Sequence, residues 1–222
     1  MSHEESNARG RDGRMLDRML FFSDAVFAIV LTIMVLDLRP PPGASAGTDA
    51  AVWTMLAGLG RTFFAFMVSF ALVGMWWFVH MRITRPMTAF DWPTAILNFA
   101  FLLTVTLVPF ASSVLGQYGR TGAAWVVYWG VNAASSFTLT LMGLVVSRGG
   151  GRLLDGTTRG ARIVFLIRNS GPGLCFLIGM WLAANGQVAL SRACWVLIPP
   201  IMVLAGRLQR ALDKRAKMAS GH

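Results

Sequence analysis

Ser23, Asp24 and Thr32 interrupt an otherwise apolar run, FFSDAVFAIVLTIMVLDLRPPP, at residues 21–42, and Arg18 stands just ahead of it. A charge at mid-depth in a bilayer costs from about 3 to beyond 10 kcal/mol, so such a group needs a partner or a polar path. His80 and Asn98 lie in similar apolar surroundings further along. These residue types offer hydrogen bonding and ion contact rather than bond-making chemistry. No GxSxG, HExxH, phosphate loop or carboxylate pair occurs, and His3 and His222 are terminal. Cys175 and Cys194 sit in apolar segments with no Cys/His cluster, which suits space filling better than a disulfide or a metal. Neither an enzyme, a cofactor nor a resident metal is expected.

The elements that carry these residues follow from composition. The chain has 222 residues, 55% of them hydrophobic and 14% charged, with eight Trp and fifteen Phe, and its mean hydropathy is +0.58. That is too apolar for an ordinary soluble domain. Runs of spanning length recur at roughly 19–38, 57–80, 94–115, 123–147, 163–184 and 187–206. The sequence thus predicts an all-α membrane protein, a single six-helix transmembrane domain over residues 1–222 with short tails. The break between the last two spans falls around Asn185-Gly186.

Charge placement sets the orientation. Of twenty Lys and Arg residues, only Arg39, Arg61, Arg120 and Arg192 fall on one side of this arrangement. The rest fall on the other, in the N-terminal tail, the loops after spans two and four and the C-terminal tail. The positive-inside rule puts that side, with both termini, in the cytoplasm. The net charge of +10 is therefore accounted for by the membrane rim and does not indicate nucleic acid. A cleavable signal peptide ending near Ala44-Ser45-Ala46 is the rival reading of the first run. The run is too long for a signal core and contains Asp24.

Depth and helical geometry sort the polar residues. Asp24 lies about 7 Å inside the first span, and His80 at the end of the second and Asn98 near the start of the third reach the same level. Asp24, His80 and Asn98, with Arg18 beneath, are expected to bond one another, since hydrocarbon offers no alternative. At about 100° per residue, Ile29, Ile33, Leu36, Phe22 and Thr32 share one stripe, and Asp24 lies about 140° from Ile29. On pattern alone the stripe reads as a lipid-facing or packing surface rather than a pore.

Arg18-Met-Leu-Phe-Phe22-Ser23-Asp24 resembles the R-x-x-x-F-S-D signature of the transmembrane protein 175 family of potassium channels. Ala25 to Ile29 resemble it too, as do Ser69-Phe70, Val73-Gly74, Trp77 and His80 in span two and Leu97-Asn98 with Pro109-Phe110 in span three. A second histidine often follows His80 in that family; here the position is Met81. The likeness is strong over three spans, whereas the last three share chiefly the helix count.

The resemblance implies a homotetramer of six-helix subunits in the plasma membrane of a bacterium, with the first helix of each lining a central pore. It implies that Ile29 forms the narrowest ring, that Ile33 and Leu36 continue the constriction, and that Thr32 helps coordinate a permeant potassium ion. Arg18, Ser23, Asp24, Trp77, His80 and Asn98 would form a packing network that holds the pore helix. The expected function is a moderately potassium-selective channel whose partners are its own copies and the lipid bilayer. A secondary transporter, a proton-permeable leak pathway or a non-conducting scaffold remain as alternatives; no clear internal repeat of the kind transporters show is found.

Overall fold

Long runs of helix-forming apolar residues, with proline confined mostly to their ends, leave the chain one way to satisfy its backbone in hydrocarbon, which is to coil. A computed structural model describes residues 3–40, 47–85, 87–148 and 159–195, and every regular element in them is a helix. These are α1 (His3–Ile33), which tightens into a 3-10 turn at Met34–Asp37, α2 (Asp49–Gly58), α3 (Gly60–Thr84) and α4 (Trp92–Thr106). Then come α5 (Val108–Tyr118), α6 (Gly122–Arg148), α7 (Arg159–Ala184) and α8 over 188–195. The stretches Asp12–Asp37, Gly60–Thr84, Trp92–Tyr118 and Gly122–Ser147 are long and apolar enough to cross a bilayer. They coincide with the first four expected spans to within a few residues, except that the first helix begins well before its span. Proline is absent between His3 and Phe22, so nothing in the sequence forces the coil to start at the membrane.

The third span is two helices in sequence. Pro109 is the second residue of α5; it has no N–H and its ring crowds the carbonyl four residues back, so the coil breaks at Leu107. There the Leu107 N–H turns to the Thr104 carbonyl at 3.2 Å instead. At its other end the span is capped by Asp91, whose carboxylate accepts from the Thr94 N–H at 3.0 Å, with Pro93 in the first turn. The ten-residue α2 was not expected. Thr48 caps it, and Leu59 alone separates it from α3.

In the second half, α7 ends as expected at Asn185-Gly186. Gly186 adopts a left-handed φ of 77°, and the Gln187 N–H reaches the Leu182 carbonyl at 2.9 Å while the Gly186 N–H reaches Ala183 at 3.2 Å. That pair of bonds is a Schellman stop, which favours glycine. The described apolar part of α7, Ser170–Ala184, is shorter than a full span, and residues 196–206 of the expected sixth span lie outside the described residues.

Two groupings of helices share one apolar core. In the first, α1 packs on α3 and α4 while α3 packs on α5; in the second, α6 packs on α4, α5 and above all α7. The α6–α7 contact is close because glycines remove side chains from it. A Cβ on Gly179 would come within 2.8 Å of the Trp129 ring, and one on Gly173 within 2.8 Å of Ser136 Oγ. Helices in lipid associate through such close packing rather than through hydrophobic burial.

Replacing Gly179 by Ala forces Trp129 to move, and overpacking of this kind costs roughly 1–3 kcal/mol. Thermal melting in mild detergent is expected to show a clear loss for Gly179→Ala. Gly58→Ala, where nothing lies within 4 Å of the added carbon, should melt like the parent. Equal melting of all three proteins would refute the packing account.

Candidate functional site

Three helices meet at the level of Ser23. Its side chain is fully buried and its hydroxyl donates to the Met19 carbonyl, 2.9 Å away and one turn back in α1. Asn98 of α4 donates from Nδ2 to Ser23 Oγ at 2.9 Å, and Asn98 Oδ1 lies 2.7 Å from His80 Nε2 of α3. Because an amide oxygen can only accept, that last bond requires the proton on Nε2. The result is a one-way relay from His80 to Asn98 to Ser23 to the backbone of α1. Rings seal it: Phe101 stacks on His80 at 5.8 Å and 13°, and Phe27 lies 5.8 Å from the same imidazole.

Asp24 sits beside this relay. Its carboxylate accepts from Trp77 Nε1 at 2.9 Å in an exposed contact between α1 and α3. Arg18 is exposed and takes part in no hydrogen bond or ion pair recorded among the described residues. Six residues turn a helix by about 240° net of full turns, so Arg18 and Asp24 emerge on different faces. The six residues expected to act as one network thus divide into Ser23–Asn98–His80, Asp24–Trp77 and an unattached Arg18.

The opposite face of α1 carries the apolar stripe. Phe27, Val30 and Met34 are buried at 1%, 2% and 1% exposure, whereas Ile29 and Leu36 stand 58% and 57% exposed on the subunit, with Ile33 at 42%. Leu36 falls in the 3-10 turn, where residues three apart eclipse, so it sits above Ile33. Thr32 is exposed on the same side. Its hydroxyl lies 2.9 Å from both the Ala28 and Ile29 carbonyls, which turns the proton back onto the helix and leaves oxygen lone pairs facing out. Such an oxygen can receive a cation.

A second polar seam was missed in the sequence. Ser69 Oγ and the Tyr128 hydroxyl are 3.1 Å apart between α3 and α6, and Asn132 Nδ2 donates to the Tyr128 carbonyl at 2.8 Å. Trp129 Nε1 donates to Ser191 Oγ at 2.7 Å, and Ser191 passes its proton to the Gly179 carbonyl at 2.8 Å, tying α6, α7 and α8 together. The available signal was polar residues at helical spacing within the apolar run of span four.

The sequence model of the family described as endosomal/lysosomal potassium channel TMEM175 matches residues 18–109. A protein of Streptomyces collinus named a potassium channel is 29% identical over 187 residues, 78% of this chain and 89% of its own length. Another so named, from Chamaesiphon minutus, is 35% identical over 101 residues, and there the chain spans about half the relative, 49%. The crystal structure described as a lysosomal potassium-selective channel TMEM175 homolog from Chamaesiphon minutus superposes with a TM-score of 0.72. It is 24% identical and covers 86% of this chain and 98% of that one, a likeness of fold.

The relay makes a stability prediction. Asn98→Leu strands the His80 Nε2–H and removes the donor to Ser23, and a buried polar group left unpaired costs about 1–3 kcal/mol. Trp77→Phe removes only an exposed bond to Asp24, and bonds of membrane proteins average about 0.6 kcal/mol. Asn98→Leu is expected to melt well below Trp77→Phe in detergent; the reverse order would show that Asp24, not Asn98, holds α1.

Proposed function

We propose that this chain is a member of the TMEM175 family, whose sequence model matches residues 18–109, and that it forms a passive, moderately potassium-selective channel. The observation that carries the proposal is the rotation of α1. Its inward face is fixed by Ser23 and Phe27, and its outward face presents Ile29, Thr32, Ile33 and Leu36, all exposed among the described residues. Names of the relatives, which are potassium channels, support the same substrate.

One helix face cannot enclose a path, so the channel requires a closed ring of subunits, four by analogy with the family, each with six spans and cytoplasmic termini in a bacterial plasma membrane. Around the axis, Ile29 makes the tightest ring, and Ile33 and Leu36 line the widening. A ring of isoleucine offers no ligands, so an ion crossing it loses part of its water, and such rings also gate by dewetting. Potassium holds water less tightly than sodium and crosses at lower cost. The outward lone pairs of Thr32, one turn beyond Ile29, replace some of the lost water and add to the preference. Asp24, Trp77, His80, Asn98 and Ser23 hold the helix that carries the ring. The proposed path lacks a ring of carbonyl ligands, which is why the selectivity is moderate. A transporter would need a second gate and an enclosed central site, and a scaffold would need no exposed stripe on its central helix.

Two measurements test this. Ile29→Asn places polar groups in the ring and is expected to raise sodium permeability relative to potassium, read as a shift in reversal potential under opposed gradients. Leu31→Asn, about 160° from the stripe by helical geometry, should leave that ratio unchanged. A shift for Leu31→Asn and none for Ile29→Asn would reassign the pore face. The mass of the purified protein in mild detergent is expected to be that of a tetramer, and a conducting monomer would refute the ring.

A further inference from the structure

Only four basic residues occupy the side of the arrangement opposite the N-terminal tail, and three of them, Arg61, Arg120 and Arg192, line one cavity of about 300 Å³. They reach it from three elements, the first turn of α3, the link between α5 and α6, and α8. Phe64, Ala65, Leu115 and Trp125 supply the apolar wall, and none of the lining residues is acidic.

One of the guanidiniums is held in place. Arg192 Nη2 donates to the Gly119 carbonyl at 2.9 Å, and its guanidinium carbon lies 5.9 Å from the centre of the Trp125 ring. Trp125 Nε1 donates to the same carbonyl at 2.9 Å, so the ring under the guanidinium is fixed as well. A guanidinium has five N–H donors, and this anchoring uses one. Arg61 and Arg120 are exposed and take part in no ion pair or hydrogen bond recorded among the described residues. Three like charges placed together without a counter-ion repel, and the natural complement is an anion with several acceptor oxygens.

The location selects among anions. Arg61 opens a membrane-crossing helix, so the cavity lies at the bilayer rim. Just below it, Phe63, Phe64, Met67 and Phe70 of α3 are exposed, a surface suited to acyl chains. We infer that this cavity is a binding site for the phosphate headgroup of an anionic phospholipid in the leaflet opposite the N-terminus. On the orientation given by the arginine distribution, that is the outer leaflet. The inference does not rest on conduction and holds for a channel, a transporter or a scaffold alike.

The test uses the full-length protein purified in mild detergent, incubated with phosphatidylglycerol, with phosphatidylcholine or with inorganic phosphate, and read by native mass spectrometry and thermal melting. Phosphatidylglycerol is expected to stay bound and raise the melting temperature, and the other two to do neither. In the Arg61→Gln/Arg120→Gln double variant, retention should fall roughly tenfold or more, the scale set by losing two cationic contacts to an anionic lipid. Arg39→Gln, which removes the fourth arginine of that side, should retain the lipid as the parent does. Equal retention of phosphatidylcholine, or undiminished retention by the double variant, would overturn the site. Protection by inorganic phosphate equal to that by phosphatidylglycerol would overturn the lipid as its occupant.

Discussion

Hydrocarbon offers no partner to an amide, and that single fact fixes α1. Asn98 enters the bilayer on α4 with two donors and an acceptor that water cannot reach, and it finds Ser23 on one side and His80 on the other. Those bonds determine which face of α1 turns inward. Phe27, Val30 and Met34 follow Ser23 into the core by helical spacing, and Ile29, Ile33 and Leu36 are thereby turned outward. The aliphatic face of the helix is thus positioned by polar contacts on the far side. Any change that rotates α1 by one residue would bury part of that face and pull Ser23 away from Asn98.

The remaining helices give those contacts a rigid base. Phe101 of α4 stacks on His80 and also meets Phe27 at 6.0 Å, so the relay is braced by rings on the core side. Further out, α6 is locked to α7 by the glycine contacts and to α3 through Tyr128 and Ser69. The aromatic cluster of Trp125, Tyr128, Trp129, Phe176 and Trp195 fills the space between them. Among the described residues, α1 thus keeps an exposed aliphatic stripe beside closely packed helices.

How much of this could be read from the sequence differs from element to element. The first four spans and the stop at Asn185-Gly186 were legible because apolar run length and glycine punctuation are local signals. The shared stripe of Ile29, Ile33 and Leu36 was legible because its spacing is helical, whereas the buried face of Phe27, Val30 and Met34 was not named from the sequence. Arg18 was misplaced beneath Asp24, since a shared depth says nothing of facing, and six residues of helix part the two side chains. Trp77 entered the network only through the family likeness, and its bond to Asp24 was not anticipated, because tryptophan in a span reads first as apolar. The break at Leu107 was foreshadowed by Pro109, whereas α2 was hidden in a linker whose length alone suggested a loop. The arginine cavity needed three distant segments to converge, and no pattern along the chain announces that.

The most direct measurement of the central claim, that the outward stripe of α1 lines the ion path, is the block of potassium current by a water-borne thiol reagent. Single cysteines would be placed from Val26 to Leu36 in protein whose Cys175 and Cys194 are replaced by serine. Rapid block is predicted at positions 29, 33 and 36, with no effect at 27, 30 and 34, whose side chains are buried against the subunit core. Block at 27, 30 and 34 that spares 29, 33 and 36 would contradict it, as would a current insensitive at every position.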